Sequence, residues 1–175
     1  MDQMEHKFTD SQDYDIRYTR ITDISYLKRW LIDPRVIYFF PFDYEQALEI
    51  ENFSKNWVGF GRINAAITAT YQSHPIGMAT LFLMPYKKVS HAAMLNIVVD
   101  PIWQHKGVGT SLVKNSLHLA KTNFRIEYLQ CEVMENNPII SILKKQGFQE
   151  IIRQEGFYKN DGLYLARVVL EAHIS

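Results

Sequence analysis

The residues whose types and order suit them to chemistry stand in one stretch, Leu95-Asn96-Ile97-Val98-Val99-Asp100-Pro101-Ile102-Trp103-Gln104-His105-Lys106-Gly107-Val108-Gly109-Thr110. An apolar run with strand character ends at Asp100-Pro101, a loop carrying Gly107 follows, and helical spacing begins at Val108. The start of a helix presents unpaired backbone N–H groups and the positive end of the helix dipole. Glycines let that backbone approach a bulky anion, as at phosphate sites, and Lys106 adds a cation beside it. The spacing is not that of a P-loop, because Gly-x-x-x-x-Gly-Lys-Ser/Thr is missing. Nor is it a dinucleotide fingerprint, because Thr110-Ser111-Leu112 follows Gly109 without a third glycine. A tight turn with no ligand is the plain alternative.

The elements that must position this stretch follow from periodicity and turn chemistry. Tyr14 to Thr19 alternates as a first strand. Asp23 reads as the N-cap of a helix running to about Leu31, stopped by Asp33-Pro34. A second helix is expected from near Asp43 to Trp57. Ala65 to Tyr71 and Pro75 to Met84 read as strands joined through Gln72-Ser73-His74. Ala92 to Val99 is apolar on both faces except at Asn96, which suits the middle of a sheet. Val108, Leu112, Leu119 and Ala120 share one face of a helix over 108–122. Ile126 to Val133 is a strand, and Pro138 opens a helix ending at Gly147. Phe148 to Tyr158 and Leu163 to Glu171 form a hairpin around Asn160-Asp161-Gly162. The order β-α-α-β-β-β-α-β-α-β-β predicts an α/β fold with a mixed sheet and helices on both faces.

Composition narrows the function classes. The 175 residues are 47% hydrophobic and 22% charged, the balance of a single soluble domain. Lys+Arg and Asp+Glu both number 19, so no global field exists to hold nucleic acid or an anionic membrane. The one cysteine, Cys131, excludes an intrachain disulfide framework and reads as a buried strand residue. The six histidines are scattered without ligand spacing, so no metal site is indicated. The N-terminal Met1 to Lys7 is polar and lacks the apolar core of a signal peptide, and no run is long enough for a membrane helix. A cytoplasmic address is the expectation.

Gln104-His105-Lys106-Gly107-Val108-Gly109, behind a strand ending Val98-Val99-Asp100-Pro101, resembles the Gln/Arg-x-x-Gly-x-Gly/Ala motif of the GNAT superfamily of acyl-CoA-dependent N-acyltransferases. Asn136, Lys145 and Gly147-Phe148 resemble that family's second motif, Asn-x-x-Ser/Ala followed by Lys-x-Gly-Phe, with Ile139 departing at the small-residue position. Ile16-Arg17-Tyr18-Thr19-Arg20, Asp23 and Trp30-Leu31-x-Asp33-Pro34 look like the ribosomal-protein and polyamine N-acetyltransferase branch. The similarity runs over nearly the whole chain.

The resemblance implies a GNAT fold of about seven strands and four helices, with acetyl-CoA as co-substrate. It places pantetheine in a gap between the fourth and fifth strands, bonded to the backbone of Ile97 and Val99. It places the pyrophosphate on the amides of His105, Lys106, Gly107, Val108, Gly109 and Thr110 after Gln104, and gives Asn136 a cofactor contact across the cleft. It further implies direct attack of a neutral amine on the thioester, with an oxyanion met by a backbone N–H near Val98. The usual tyrosine acid falls at Leu143, leaving Tyr158 as a substitute or as an aromatic packing the hairpin. Glu132 is the candidate base, the alternative being a paired strand glutamate, and Asn96 orients a water or is a satisfied amide. The aromatic run Tyr38-Phe39-Phe40 with Phe42, near Asp43 and Glu45, is expected to hold the acceptor amine or to cover the core. The expected partner is an amine acceptor, a protein N-terminus or a small molecule, and the chain a monomer or homodimer. The rival is a non-catalytic acyl-CoA-binding regulatory module.

Overall fold

The structure is a computed structural model and describes residues 14–174. The N-terminal segment Met1 to Lys7 and the terminal Ser175 lie outside the described residues. One sheet carries seven strands in the order β1-β2-β3-β4-β5-β7-β6. They are β1 Asp15–Tyr18, β2 Ala66–Tyr71, β3 His74–Leu83, β4 Ala92–Val99, β5 Tyr128–Met134, β6 Gln149–Asn160 and β7 Leu163–His173. The helices are α1 Ile24–Leu31, α2 Pro34–Ile37, α3 Ala47–Gly59, α4 Val108–Phe124 and α5 Ile139–Lys145. All neighbours pair antiparallel except β4 and β5, which run parallel.

Local chemistry explains most boundaries. Gln72 and Ser73 both take positive φ (46° and 68°), so β2 and β3 meet in a two-residue turn and His74 joins the strand. Asp161 and Gly162 do the same between β6 and β7, at φ 48° and 80°. Asp33-Pro34 stops α1 and also starts α2, which the sequence did not reveal. Asp33 is extended (ψ 129°), its carboxylate accepts the Arg35 N–H at 2.9 Å, and Pro34 sits in the first turn. The next helix starts at Ala47 rather than Asp43, because residues 43–46 form a turn. There the Asp43 N–H donates to Gln46 Oε1 at 2.8 Å and the Gln46 N–H to the Asp43 carbonyl at 3.0 Å.

Asp23 precedes α1 but makes no side-chain cap. Its buried carboxylate instead accepts Arg17 at 2.8 and 2.9 Å, the Arg20 N–H at 2.8 Å and Thr68 Oγ1 at 3.1 Å. Burial pushes the Asp23 carboxyl up, but the bonds from Arg17 and Arg20 outweigh it and hold the group below its usual value. That network ties α1 to β1 and β2.

The sheet separates two apolar cores. Leu95, Leu112, Leu129 and Leu143 belong to the larger, under α4 and α5, and Leu27, Trp30, Trp57, Met78 and Val98 to the smaller, under α1–α3. At Gly77 of β3 an added Cβ would lie 3.1 Å from both Val108 and Leu112, so this glycine lets the first turns of α4 settle close to the sheet. The start of α4 is thereby fixed beside the end of β4.

Candidate active site

Strands β4 and β5 pair only at Ala92–Tyr128, Ala93–Leu129 and Met94–Gln130. Beyond that point each keeps its other neighbour: β4 stays on β3 as far as Val99, and β5 on β7 as far as Met134. The two strands therefore part, and a cleft of about 780 Å³ opens between them.

Backbone direction decides what β4 offers to that cleft. The Asp100 N–H donates to the Ile76 carbonyl at 2.9 Å, which turns the main chain of Asp100 toward β3. By strand alternation Val98, opposite Met78, also faces β3, whereas Ile97 and Val99 turn their N–H and C=O groups toward the cleft. The Val99 carbonyl accepts Gln104 Nε2 there at 3.3 Å. The expected oxyanion donor near Val98 is thus corrected: its amide belongs to the β3 ladder and its side chain to the smaller core.

The loop into α4 is held from several sides. Asp100 accepts the Ile102 N–H at 3.1 Å and Trp30 Nε1–H at 3.1 Å, and the Tyr14 hydroxyl donates to the Gly107 carbonyl at 3.2 Å. His105 (φ 60°) and Gly107 (φ 87°) take left-handed conformations, natural for the glycine and strained for the histidine. Gln104, His105, Gly107, Gly109 and Thr110 line the cleft. Two other expected ligands do not: Lys106 turns its ammonium over the Trp103 ring at 5.0 Å, and Val108 is wholly buried in the core. Lys106 and Val108 therefore have only main-chain groups to offer at this helix start.

Asn136 is also placed elsewhere. Its exposed side-chain amide donates to the Tyr38 hydroxyl at 3.0 Å, and the neighbouring Asn137, with Pro138 and Ile139, lines the cleft instead. Leu143 lies on the opposite face of α5, completely buried. It packs the larger core and has no access to the cleft.

The structure brings Glu132 and Tyr158 together on the cleft wall. The Tyr158 hydroxyl donates to Glu132 Oε1 at 3.4 Å, and Arg167 Nη2 lies 3.0 Å from Glu132 Oε2. A bulge in β6 between Gln154 and Tyr158, with Gly156 at φ 63°, directs Tyr158 there. Burial first, then the Glu132 charge, pushes the Tyr158 phenol up to about 12, so it keeps its proton at neutral pH. Asn96 also faces the cleft, with no side-chain hydrogen bond among the described residues. Cys131 touches the cleft wall, but burial pushes its thiol up to about 12, which leaves it a poor nucleophile. Arg167 was missed from sequence. The available signal was a single charge in the apolar run Leu165-Ala166-Arg167-Val168-Val169-Leu170.

Phe39, Phe40, Phe53 and Phe82 form an aromatic wall of the same cleft. Phe42 stacks on Phe40 behind it at 5.4 Å, and Tyr38 is engaged with Asn136. Asp43 and Glu45, expected beside an amine, are exposed and lie off the cleft wall. Glu132 is the only carboxylate among the described lining residues. No group of three or more His, Cys, Asp or Glu among the described residues could hold a metal, and no described helix is long and apolar enough to cross a membrane.

A parted pair of parallel strands, open amides on one of them and a glycine-bearing helix start together line one cleft of a mixed α/β sheet. Residues 24–148 match the Acetyltransferase (GNAT) family, and the chain belongs to that family. It is an acyltransferase with acetyl-CoA as its co-substrate. The L-amino acid N-acetyltransferase AaaT of Escherichia coli (strain K12) is 27% identical over 109 residues, covering 58% of this chain and 67% of that protein. A Salmonella typhimurium acetyltransferase solved with its cofactor acetyl-CoA superposes with a TM-score of 0.80 at 12% identity, over 94% of this chain and 95% of that one. A ribosomal-protein-alanine N-acetyltransferase from Brucella melitensis gives a TM-score of 0.76 at 19% identity, over 90% and 98%. These structures share the fold.

Proposed function

We propose that this protein transfers an acetyl group from acetyl-CoA to the primary amine of a small molecule with an apolar body, the class to which apolar amino acids belong. The observation that carries the reading is the Glu132–Tyr158 pair, set in the gap between β4 and β5 and faced by the phenylalanine wall. In this reading Ile97 and Val99 bond the pantetheine amides, and the pyrophosphate rests on the main chain of His105 to Thr110. Close approach is permitted by Gly107 and Gly109. Gln104 braces Val99, and Asn137 takes the place first given to Asn136.

An alkylammonium with a pKa near 10 must lose a proton before it can attack. Glu132 accepts it, directly or through a water oriented by Asn96. The amine nitrogen then bonds to the thioester carbon, and the oxyanion is met by an N–H of Ile97 or Val99. As the C–S bond breaks, Tyr158 protonates the sulfur and recovers a proton from Glu132, and the second proton of the attacking nitrogen leaves to solvent, so the pair ends as it began. A polycationic acceptor would suit a wall with several acids, and this wall offers Glu132 alone. The relatives are named for L-amino acids and for an alanine of a ribosomal protein, and the phenylalanines favour the smaller class.

The test is mass-spectrometric acetyl transfer to a panel of L-amino acids, polyamines, aminoglycosides and short peptides, with Glu132→Gln as control. Apolar amino acids should be acetylated fastest. Preference for polyamines or peptides would overturn the acceptor class. Acetyl-CoA binding without transfer to any acceptor would support the regulatory module instead.

A further inference from the structure

We propose that Arg167 is a positioning residue for acetyl transfer, holding the Glu132 carboxylate in the one orientation that serves Tyr158 and the acceptor amine. The inference rests on the reading of Glu132 as proton acceptor and adds to it a residue on a third strand.

The geometry is specific. Glu132 lies on β5, opposite Val169 of β7, and Arg167 sits two positions along β7, opposite Met134. From there its guanidinium reaches Glu132 Oε2 at 3.0 Å, while Oε1 is left to the Tyr158 hydroxyl at 3.4 Å. Each carboxylate oxygen thus has one partner, and the plane of the group is set. Without Arg167 the carboxylate would be free to rotate about its last torsion, which is broad for glutamate.

Arg167 is itself held. Its guanidinium carbon lies 5.1 Å from the Phe157 ring centroid, and Nη1 donates to Gln154 Oε1 at 3.5 Å. Its Nε is buried without a protein partner. An arginine fixed by an aromatic face and a planar carboxylate is poorly replaced by an uncharged chain, whereas lysine keeps the charge and loses the fork. The ionisable and charged groups that face Glu132 are Tyr158 from β6, Arg167 from β7 and the adjacent Cys131 thiol. Arg167 is the only cation in contact with Glu132 among the described residues; Arg35 and His105 line the same cleft without touching it. Removing Arg167 leaves Tyr158 as the carboxylate's sole side-chain partner among the described residues.

The experiment compares Arg167→Met, Arg167→Lys and Glu132→Gln with wild type, and adds the Arg167→Met/Glu132→Gln double variant. Each is assayed for kcat, acetyl-CoA Kd and thermal stability. For Arg167→Met the expected result is a fall in kcat of roughly 10- to 100-fold with acetyl-CoA Kd within about twofold. Arg167→Lys should recover part of the rate. In the Glu132→Gln background the same change should cost less than about threefold, because two residues acting as a unit are not additive. A wild-type kcat in Arg167→Met would overturn the proposal. So would a rate loss that comes with a lower melting temperature and is just as large in the Glu132→Gln background, which describes a structural residue. A Glu132→Gln enzyme of wild-type rate would overturn the underlying reading of Glu132. A slow Glu132→Gln beside an unaltered Arg167→Met would overturn the assignment of Arg167 alone.

Discussion

On the β4 side of the cleft the groups offered to a ligand belong to the main chain: the free amides of Ile97 and Val99 and the start of α4 behind Gly107. On the β5 side they are side chains, Glu132 and Tyr158 with Arg167 behind them, drawn from three strands. The first wall needs only a strand end, a left-handed glycine and a helix, all within one continuous segment. The second depends on the register between β5 and β7, and on a bulge in β6 that aims a tyrosine. A wall of main chain tolerates changes of side chain and resists changes of backbone conformation, and a wall of side chains behaves the other way. Binding and chemistry should therefore be separable by mutation.

Glu132→Gln should break the chemistry most, lowering kcat by about 10²- to 10³-fold, within the range of a lost general base, with acetyl-CoA Kd nearly unchanged. Gly107→Val should act on the other wall. A β-branched residue at φ 87° is strained by about 1–2 kcal/mol, and it crowds the anion site, so acetyl-CoA should bind at least about tenfold more weakly by calorimetry. Tyr158→Phe should slow turnover by about tenfold. Because the Tyr158 phenol stands at about 12, it keeps its proton across the assay range and this variant should leave the shape of the pH profile unchanged. His105→Ala, which removes a side chain from the main-chain wall, should change Kd by less than about threefold.

Asp23→Asn, remote from both walls, should leave kcat unchanged and cost about 3 kcal/mol of stability in urea melts, the scale for breaking a buried ion pair. The folded Asp23 carboxyl lies below its unfolded value, so its contribution is present above about pH 4 and disappears as pH falls through the folded pKa. The stability difference from Asp23→Asn should shrink accordingly in acid.

Legibility in the sequence divides along the same line. β4, its ending at Asp100-Pro101, the glycine loop and α4 were readable because strand period, proline and helix start are local signals. The two hairpins were readable from their turns. The side-chain wall was only half visible, since Glu132 and Tyr158 could be nominated from the family resemblance but their contact depends on pairing across β7. Arg167 needed that register to be known, and the bulge at Gly156 had no local signature beyond a glycine in a strand. The side-chain placement of Asn136 and Lys106 was illegible for one reason: a motif position gives a residue's place on the chain, and a nearby aromatic, Tyr38 or Trp103, captured the side chain. Asp23 was read as a helix cap because its buried competitors, Arg17 and Thr68, come from other strands.

The division of labour is tested most directly by measuring acetyl-CoA Kd and the saturated single-turnover rate on Gly107→Val and Glu132→Gln side by side. A crossed result is expected: Gly107→Val loses affinity and keeps a single-turnover rate within about threefold of wild type at saturation, and Glu132→Gln keeps affinity and loses the rate. Loss of both quantities together in both variants would contradict the separation of the two walls.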